Sequence, residues 1–288
     1  MPFAIAFRSA LHLRLFRWAE GSRTRALARE FLLFGLRQAW ASIFAAGMLA
    51  AILLSDWFYP ASAPIARYDF LLIWAITLQA VMLATRLERW DEAAIVLVYH
   101  LVGTAMEVFK TAQGSWLYPE PSLVRIAGVP LFSGFMYAAV GSYMARILRI
   151  FAIRFTGYPP VWATWLLALL AYANFFTHHF GPDLRLGLFA LSAIVFGRTR
   201  FHYRPAERYR SMPFLVGAVL VALFLWIAEN LGTFGAAWIY PSQRDGWTPV
   251  SLNKMGSWYL LMLLSFVLVT AVNRPRPYGT FEHSNGKL

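Results

Sequence analysis

Glu107-Val-Phe-Lys-Thr-Ala-Gln-Gly-Ser-Trp-Leu-Tyr-Pro119 returns in outline as Glu229-Asn-Leu-Gly-Thr-Phe-Gly-Ala-Ala-Trp-Ile-Tyr-Pro241. Both copies read Glu, eight residues, Trp, one apolar residue, Tyr, Pro, and in both the Glu closes a long apolar run. The offset between 107 and 229 is 122 residues. A Trp-x-Tyr-Pro echo at fixed distance behind a Glu points to an internal duplication, which decides the architecture before any single helix is placed.

The chain of 288 residues is 59% hydrophobic and 14% charged, and a soluble domain of that size cannot hide so much apolar surface. Apolar runs bounded by charge, Pro and Gly predict eight spans, at about 38–56, 68–86, 92–109, 128–147, 159–178, 184–198, 212–229 and 254–272. Net charge is +12, yet the arginines fill short gaps between spans, where they set orientation rather than meet nucleic acid. With these spans, 20 Lys and Arg residues fall on one side and six on the other, which places both termini in the cytoplasm. Four spans per copy is an even number, so the copies are expected to be parallel repeats related by an axis along the membrane normal. The sequence reading is therefore an all-α polytopic membrane bundle: a basic amphipathic segment over 1–36, four-helix repeats over 37–154 and 155–274, and a cytoplasmic tail over 275–288. With no cysteine, disulfides and thiolate metal sites are excluded.

Ionisable groups inside spans are costly and mark candidate sites. Glu107 and Glu229 come first, as general acids; the competing reading of Glu107 is a helix-face pair with Lys110. His100 lies two helical turns before Glu107, with a bundle hydrogen bond as its alternative role, and His178-His179 closes span five. Glu107, Glu229, both of those histidines, Asp56, Asp69 and Asp183 are expected on one face of the membrane, in a single vestibule. Adjacent histidines point to different helix faces and no His-x-x-His or Glu-x-x-His pattern occurs, so no metal is expected. The loops over 110–127 and 230–253 are rich in Trp, Tyr, Pro and Gly and should fold back over this mouth, bringing Trp116, Tyr118, Trp238, Tyr240 and Lys110 to a substrate. Span aromatics including Tyr137 and Trp258 read as packing or as pocket lining, and Gly134 and Gly141 as close helix contacts. Arg198, Arg200, Arg204, Arg208 and Arg210 form a basic cytoplasmic loop suited to anionic lipid headgroups or simply to topology. No Walker loop, dinucleotide fingerprint or Gly-x-Ser-x-Gly elbow is present, so no cofactor is expected.

The first motif, continued by Arg125-Ile-Ala-Gly-Val-Pro-Leu-Phe-Ser-Gly-Phe-Met-Tyr-Ala-Ala-Val-Gly-Ser-Tyr143, resembles the bacterial integral-membrane family of domain of unknown function 817. That resemblance covers most of the chain and implies a bacterial inner membrane. More distantly, Glu107, its Gly-bearing spacer, Trp-x-Tyr and Gly128-Val-Pro-Leu131 resemble the membrane carotenoid hydratases, which implies acid-catalysed addition of water to a polyene end. Three functional readings follow: an enzyme acting on a long apolar lipid or isoprenoid through Glu107 or Glu229 with His100 or His178 assisting, a proton-coupled transporter, and a non-catalytic scaffold. An enzyme needs a pocket open sideways to lipid; a transporter needs a polar cavity near the midplane.

Overall fold

A computed structural model describes residues 22–272, together with Pro275 and Pro277. The expectations for 1–21 and for the rest of the tail lie outside the described residues. Among the described residues the chain is mostly helical: α1 Arg23–Ala41, α2 Ile43–Phe58, α3 Arg67–Ala84, α4 Trp90–Ala112, α5 Phe132–Ile150, α6 Val161–Thr177, α7 Arg185–Phe196, α8 Phe214–Phe234 and α9 Asn253–Val272. Every predicted span holds a helix. The first begins later than expected, because the chain breaks at Ser42 and residues 38–41 belong to α1, bent by 67° from α2.

Four helices, α3, α4, α8 and α9, are long and apolar enough to cross a membrane, and α1 with α2 makes a fifth if the bent pair is one span. The 17 residues of α6 and 12 of α7 reach only about 26 and 18 Å, short of a ~30 Å hydrocarbon core. α5 carries Arg146 and Arg149 in its last two turns. Helix length alone therefore supports four or five spans and not eight.

Strands are present that periodicity did not reveal. β1 Arg125–Ile126 and β2 Val129–Pro130 form a hairpin whose two turn residues, Ala127 and Gly128, have φ of 48° and 83°. Two consecutive positive φ angles are the geometry of a type I′ turn, one of the two favoured for a two-residue hairpin. β3 Arg154–Thr156, β4 Arg200–Tyr203 and β5 Arg210–Pro213 make an antiparallel sheet in the order β3-β4-β5. The basic loop after α7 is thus largely a hairpin, with Arg210 paired to Glu30 at 2.5 Å.

Glycines let α4 and α5 approach closely. A Cβ on Gly134 would stand 2.5 Å from His100 Nδ1 and from Thr104 Oγ1, and one on Gly141 would stand 2.7 Å from the Tyr99 ring. At the motif end of the bundle, buried Arg67 ties distant segments together. Its guanidinium donates to Ser55 Oγ at 2.9 Å, Ile52 O at 2.9 Å and Gly235 O at 2.6 Å, and it pairs with Glu120. Five donors in a fixed fork suit this many acceptors.

Candidate functional site

Both motif loops leave their helices in the same way. Gly114 has φ of 66°, and Ser115 N donates to Lys110 O while Gly114 N donates to Thr111 O. In the second copy Ala236 has φ of 49°, Ala237 N donates to Gly232 O and Ala236 N to Thr233 O. Each bond is displaced by the motif offset, and the pattern is a Schellman-type helix end with one left-handed residue. Such a stop turns the chain back over the helix it has just left.

The two returning loops then meet. Leu117 N donates to Ile239 O at 2.9 Å and Ile239 N donates to Leu117 O at 3.0 Å, an antiparallel bridge between equivalent residues. Of the residues flanking this bridge, Trp116, Tyr118 and Tyr240 are carried to the carboxyls. Trp116 and Tyr240 meet edge to face at 6.1 Å between ring centres.

Glu107 and Glu229 are each only 4% exposed. Trp116 Nε1 donates to Glu107 Oε2 at 2.7 Å, Tyr118 OH to the same oxygen at 2.5 Å, and Tyr137 OH to Oε1 at 2.7 Å. Tyr240 OH donates to Glu229 Oε1 and Trp258 Nε1 to Oε2 at 2.6 Å. Neither carboxyl has an ion-pair partner among the described residues. Neutral donors from the loop above and from the helix after it satisfy the buried acids instead. Burial, and then the neighbouring carboxyl, push the Tyr118 and Tyr240 phenols well above their ordinary range, so both keep their protons.

The copies have diverged in how the indole is used. Trp116 reaches Glu107, but Trp238 lies over Gly232, where a Cβ would come within 2.3 Å of its ring, and Trp258 supplies the indole donor instead. Gly232 stands where the first copy has Lys110, so the position is cationic in one copy and a floor for Trp238 in the other.

Lys110 does not pair with Glu107. Its Nζ lies 3.2 Å from His178 Nε2 and 2.7 Å from His179 Nε2, and 4.4 Å from the centre of the Phe175 ring. His178 Nδ1 faces Asn174 O at 2.8 Å, which leaves Nε2 free to accept from Lys110. Lys254, in the first turn of α9, stands 4.5 Å from the Tyr240 ring centre and 5.3 Å from that of Trp116.

These groups line one end of a cavity of about 1000 Å³. Its wall carries Glu107, Lys110, Trp116, Tyr118, Tyr137, His178, Arg185, Glu229, Trp238, Tyr240, Lys254 and Trp258 at this end. Below them the lining is apolar, including Met136, Val140, Ala218, Val221 and Leu225, and it continues to Phe151, Phe201 and Tyr203 at the opposite end. Along α8 from Phe214 to Glu229 this is about 22 Å. Phe31 of α1 and Phe224 of α8 also line it and are 75% and 69% exposed, so the cavity meets the protein's side between those helices.

Several expected members lie elsewhere. His100 packs against Phe135 at 4.5 Å between ring centres and faces Gly134, outside the cavity wall. None of the three aspartates is itself in the cavity wall, although Asp183 stands beside it through Arg185. Asp69 accepts from Leu123 N and Val124 N and anchors the first loop, Asp56 faces Arg67 at 3.8 Å, and Asp183 pairs with Arg185 at 2.5 Å. No group of three or more His, Asp and Glu residues able to hold a metal occurs among the described residues. Tyr137 and Trp258, readable from sequence only as packing or pocket lining, both line the cavity and donate to the glutamates; their signal is a hydrogen-bonding ring 30 and 29 residues after its Glu.

Comparison with known proteins places the chain in a family. It is 40% identical over 247 residues to a Bacillus subtilis (strain 168) protein named Uncharacterized protein YoaT, with 85% of this chain and 92% of that protein covered. A solved structure, that of a cross-linked MvINS trimer, matches 66% of this chain and 98% of its own at 14% identity, with a TM-score of 0.43. These comparisons do not show the likeness to the carotenoid hydratases. Residues 30–266 match the family described as Protein of unknown function (DUF817), and the chain belongs to it.

Proposed function

We propose that this protein is a membrane-embedded enzyme acting on a long apolar lipid, of isoprenoid type or similar, in which Glu107 and Glu229 with their tyrosine partners move a proton at the reacting end. The observation that carries it is the placement of two buried carboxyls, held by phenols and indoles, at the end of an apolar cavity open at the side. A lipid entering between α1 and α8 would lie along α8 with one end against the pair. There one carboxylic acid would give its proton to the substrate and the other, as carboxylate, would take one away, with Tyr118, Tyr137 or Tyr240 relaying. Exclusion of water from such a pocket strengthens each of these interactions.

The reading includes the topology: two parallel four-helix units over 37–154 and 155–274, both termini cytoplasmic, in a bacterial inner membrane. It is supported by the ends of α4 and α8 at Ala112 and Phe234, which differ by the motif offset, and by the starts of α5 and α9 at Phe132 and Asn253, within one residue of it. The short helices α6 and α7 then cross where the bilayer is thinned or covered by other helices. The Arg-rich hairpin after α7 faces anionic headgroups.

Mass spectrometry of lipids copurified with the protein tests this. A single lipid class enriched with the native chain, and replaced by its unconverted precursor in Glu107→Gln and Glu229→Gln, is the expected result. No enrichment and identical lipid content in all three would contradict it. The cavity's reach to both ends of the bundle favours a second reading, proton-coupled transport, in which the same variants would abolish substrate-driven proton movement into proteoliposomes without altering any lipid.

A further inference from the structure

Three cations gather at the motif end of the cavity, and of these only Arg185 has an ion pair among the described residues, with Asp183. Lys110 is 5% exposed, and the only acceptors of its Nζ among the described residues are the two imidazoles. Lys254 Nζ has no hydrogen bond or ion pair among the described residues and rests on two ring faces. Arg185 shares its Nε with Asp183 but turns Nη1 toward Ser257 Oγ and Asn253 O, both at 3.4 Å, on the first turn of α9. Each of the three lines the cavity; Lys254 and Arg185 act on Lys110 as repelling charges and Asp183 as an attracting one. Glu107 and Glu229 do not quench this charge by contact, since their oxygens are taken by indole and phenol donors. Neither lysine has a carboxylate in contact among the described residues, which leaves room for an anion to complete the set.

The arrangement is also one-sided between the copies. Lys110 has Gly232 as its counterpart, and Lys254 has Phe132 at the same offset, so each copy contributes one lysine that the other lacks. Both lysines end up at one place. The result is a polar recess, with Ser257 beside it, that opens directly into the apolar slot.

We propose that Lys110, Arg185 and Lys254, with His178, bind the phosphate or diphosphate headgroup of the lipid whose chain occupies the slot. This rests on the lipid-cavity reading above and names its substrate class: a long-chain phosphate ester, not an uncharged alcohol or hydrocarbon. Arg185 supplies a planar fork and the two lysines point charges, which together match three or more phosphate oxygens. The headgroup then lies beside the carboxyl pair, so that the first carbons of the chain are the atoms within its reach.

The test is binding to the full-length protein in detergent, followed by the fluorescence of Trp116, Trp238 and Trp258 around the site. Farnesyl phosphate, farnesol and inorganic phosphate are the probes, against the native chain, Lys110→Gln and Lys254→Gln. The expected result is farnesyl phosphate binding at least tenfold more tightly than farnesol, with that gap falling below threefold in both variants while farnesol binding stays within twofold of native. If Lys110→Gln also loses farnesol, its fold has suffered and Lys254→Gln decides the matter. Equal affinity for farnesol and farnesyl phosphate, or a gap that survives in Lys254→Gln, overturns the headgroup site and leaves the lipid cavity standing. Inorganic phosphate binding as tightly as farnesyl phosphate overturns it in favour of a small-anion site. Failure of both isoprenoids to bind removes the cavity reading and the headgroup site together.

Discussion

Replacing Glu107 by Gln and by Leu separates its part in the chemistry from its part in the fold. The carboxyl accepts from Trp116 Nε1, Tyr118 OH and Tyr137 OH in a site that is 4% exposed. In Glu107→Gln the amide oxygen takes the place of Oε2 and still accepts from Trp116 and Tyr118. Its NH₂ group faces Tyr137, whose hydroxyl turns round to accept. All partners survive, so the cost is about 1 kcal/mol, the difference between charge-assisted and neutral bonds. In Glu107→Leu three donors lose their acceptor at once. The indole N–H cannot turn away, whereas the phenols partly rescue themselves by rotating toward the cavity. At about 1–3 kcal/mol for each buried donor left unsatisfied, the loss is roughly 3–6 kcal/mol. Thermal unfolding in detergent, followed by tryptophan fluorescence, reads this as a fall of order 10 °C for Leu and a small one for Gln. Equal stability of the two variants would refute the reasoning, because the carboxyl would then not be what satisfies the indole and phenols.

Gly134→Ala should cost about 1–3 kcal/mol, since the new Cβ would stand 2.5 Å from His100 Nδ1 and Thr104 Oγ1; adding His100→Ala should recover part of that loss, and a double-mutant cycle showing strict additivity would count against the contact. Arg67→Lys should destabilise by about 3 kcal/mol, close to Arg67→Ala, because an ammonium cannot serve Ser55, Ile52, Gly235 and Glu120 together; chemical denaturation compares the three chains, and a lysine variant as stable as native would contradict the bridging role. His179 titrates below its ordinary range, through partial burial first and the Lys110, His178 and Lys254 charges next. The unfolded chain therefore takes up that proton first, and stability present above about pH 6.5 falls as the pH drops through that value and levels off below the folded pKa. Melting curves between pH 7.5 and 5 should show this decline, flattened in His179→Gln; an identical decline in that variant would assign it to other groups.

Much of the helix layout could be read from sequence because apolar runs and their Arg, Pro and Gly boundaries are local signals. The repeated motif revealed the two glutamates and three of the five rings that donate to them for a similar reason: Glu, Trp and Tyr sit on one continuous segment that folds back on itself. What could not be read were the partners from elsewhere in the chain. Tyr137 and Trp258 reach their glutamates from the next helix, and nothing in one dimension says which face of α5 or α9 looks inward. Lys110 shows what spacing leaves open: a helix-face pair with Glu107 is the competing reading of that spacing, but the side chain meets His178 and His179, two residues of another helix end. Asp56 and Asp69 stand at the ends of predicted spans, as the glutamates do, but Arg67 and the loop backbone at 123 and 124 have prior claim on them. Spans counted by hydropathy also outran spans counted by helix length, since α6 and α7 are apolar yet short.

The central claim is that the two motif copies meet as equivalents and form one site. Disulfide formation between Leu117→Cys and Ile239→Cys tests it most directly, because the chain has no cysteine of its own and residues that exchange both backbone hydrogen bonds hold their Cα atoms about 5.5 Å apart, within disulfide reach. Mild oxidation of the double variant in native membranes should convert most of it to an intramolecular disulfide, seen as a linked peptide pair after digestion, while Leu117→Cys with Gln243→Cys gives little. No linkage between 117 and 239 under conditions where each cysteine reacts with a small thiol reagent would contradict the account.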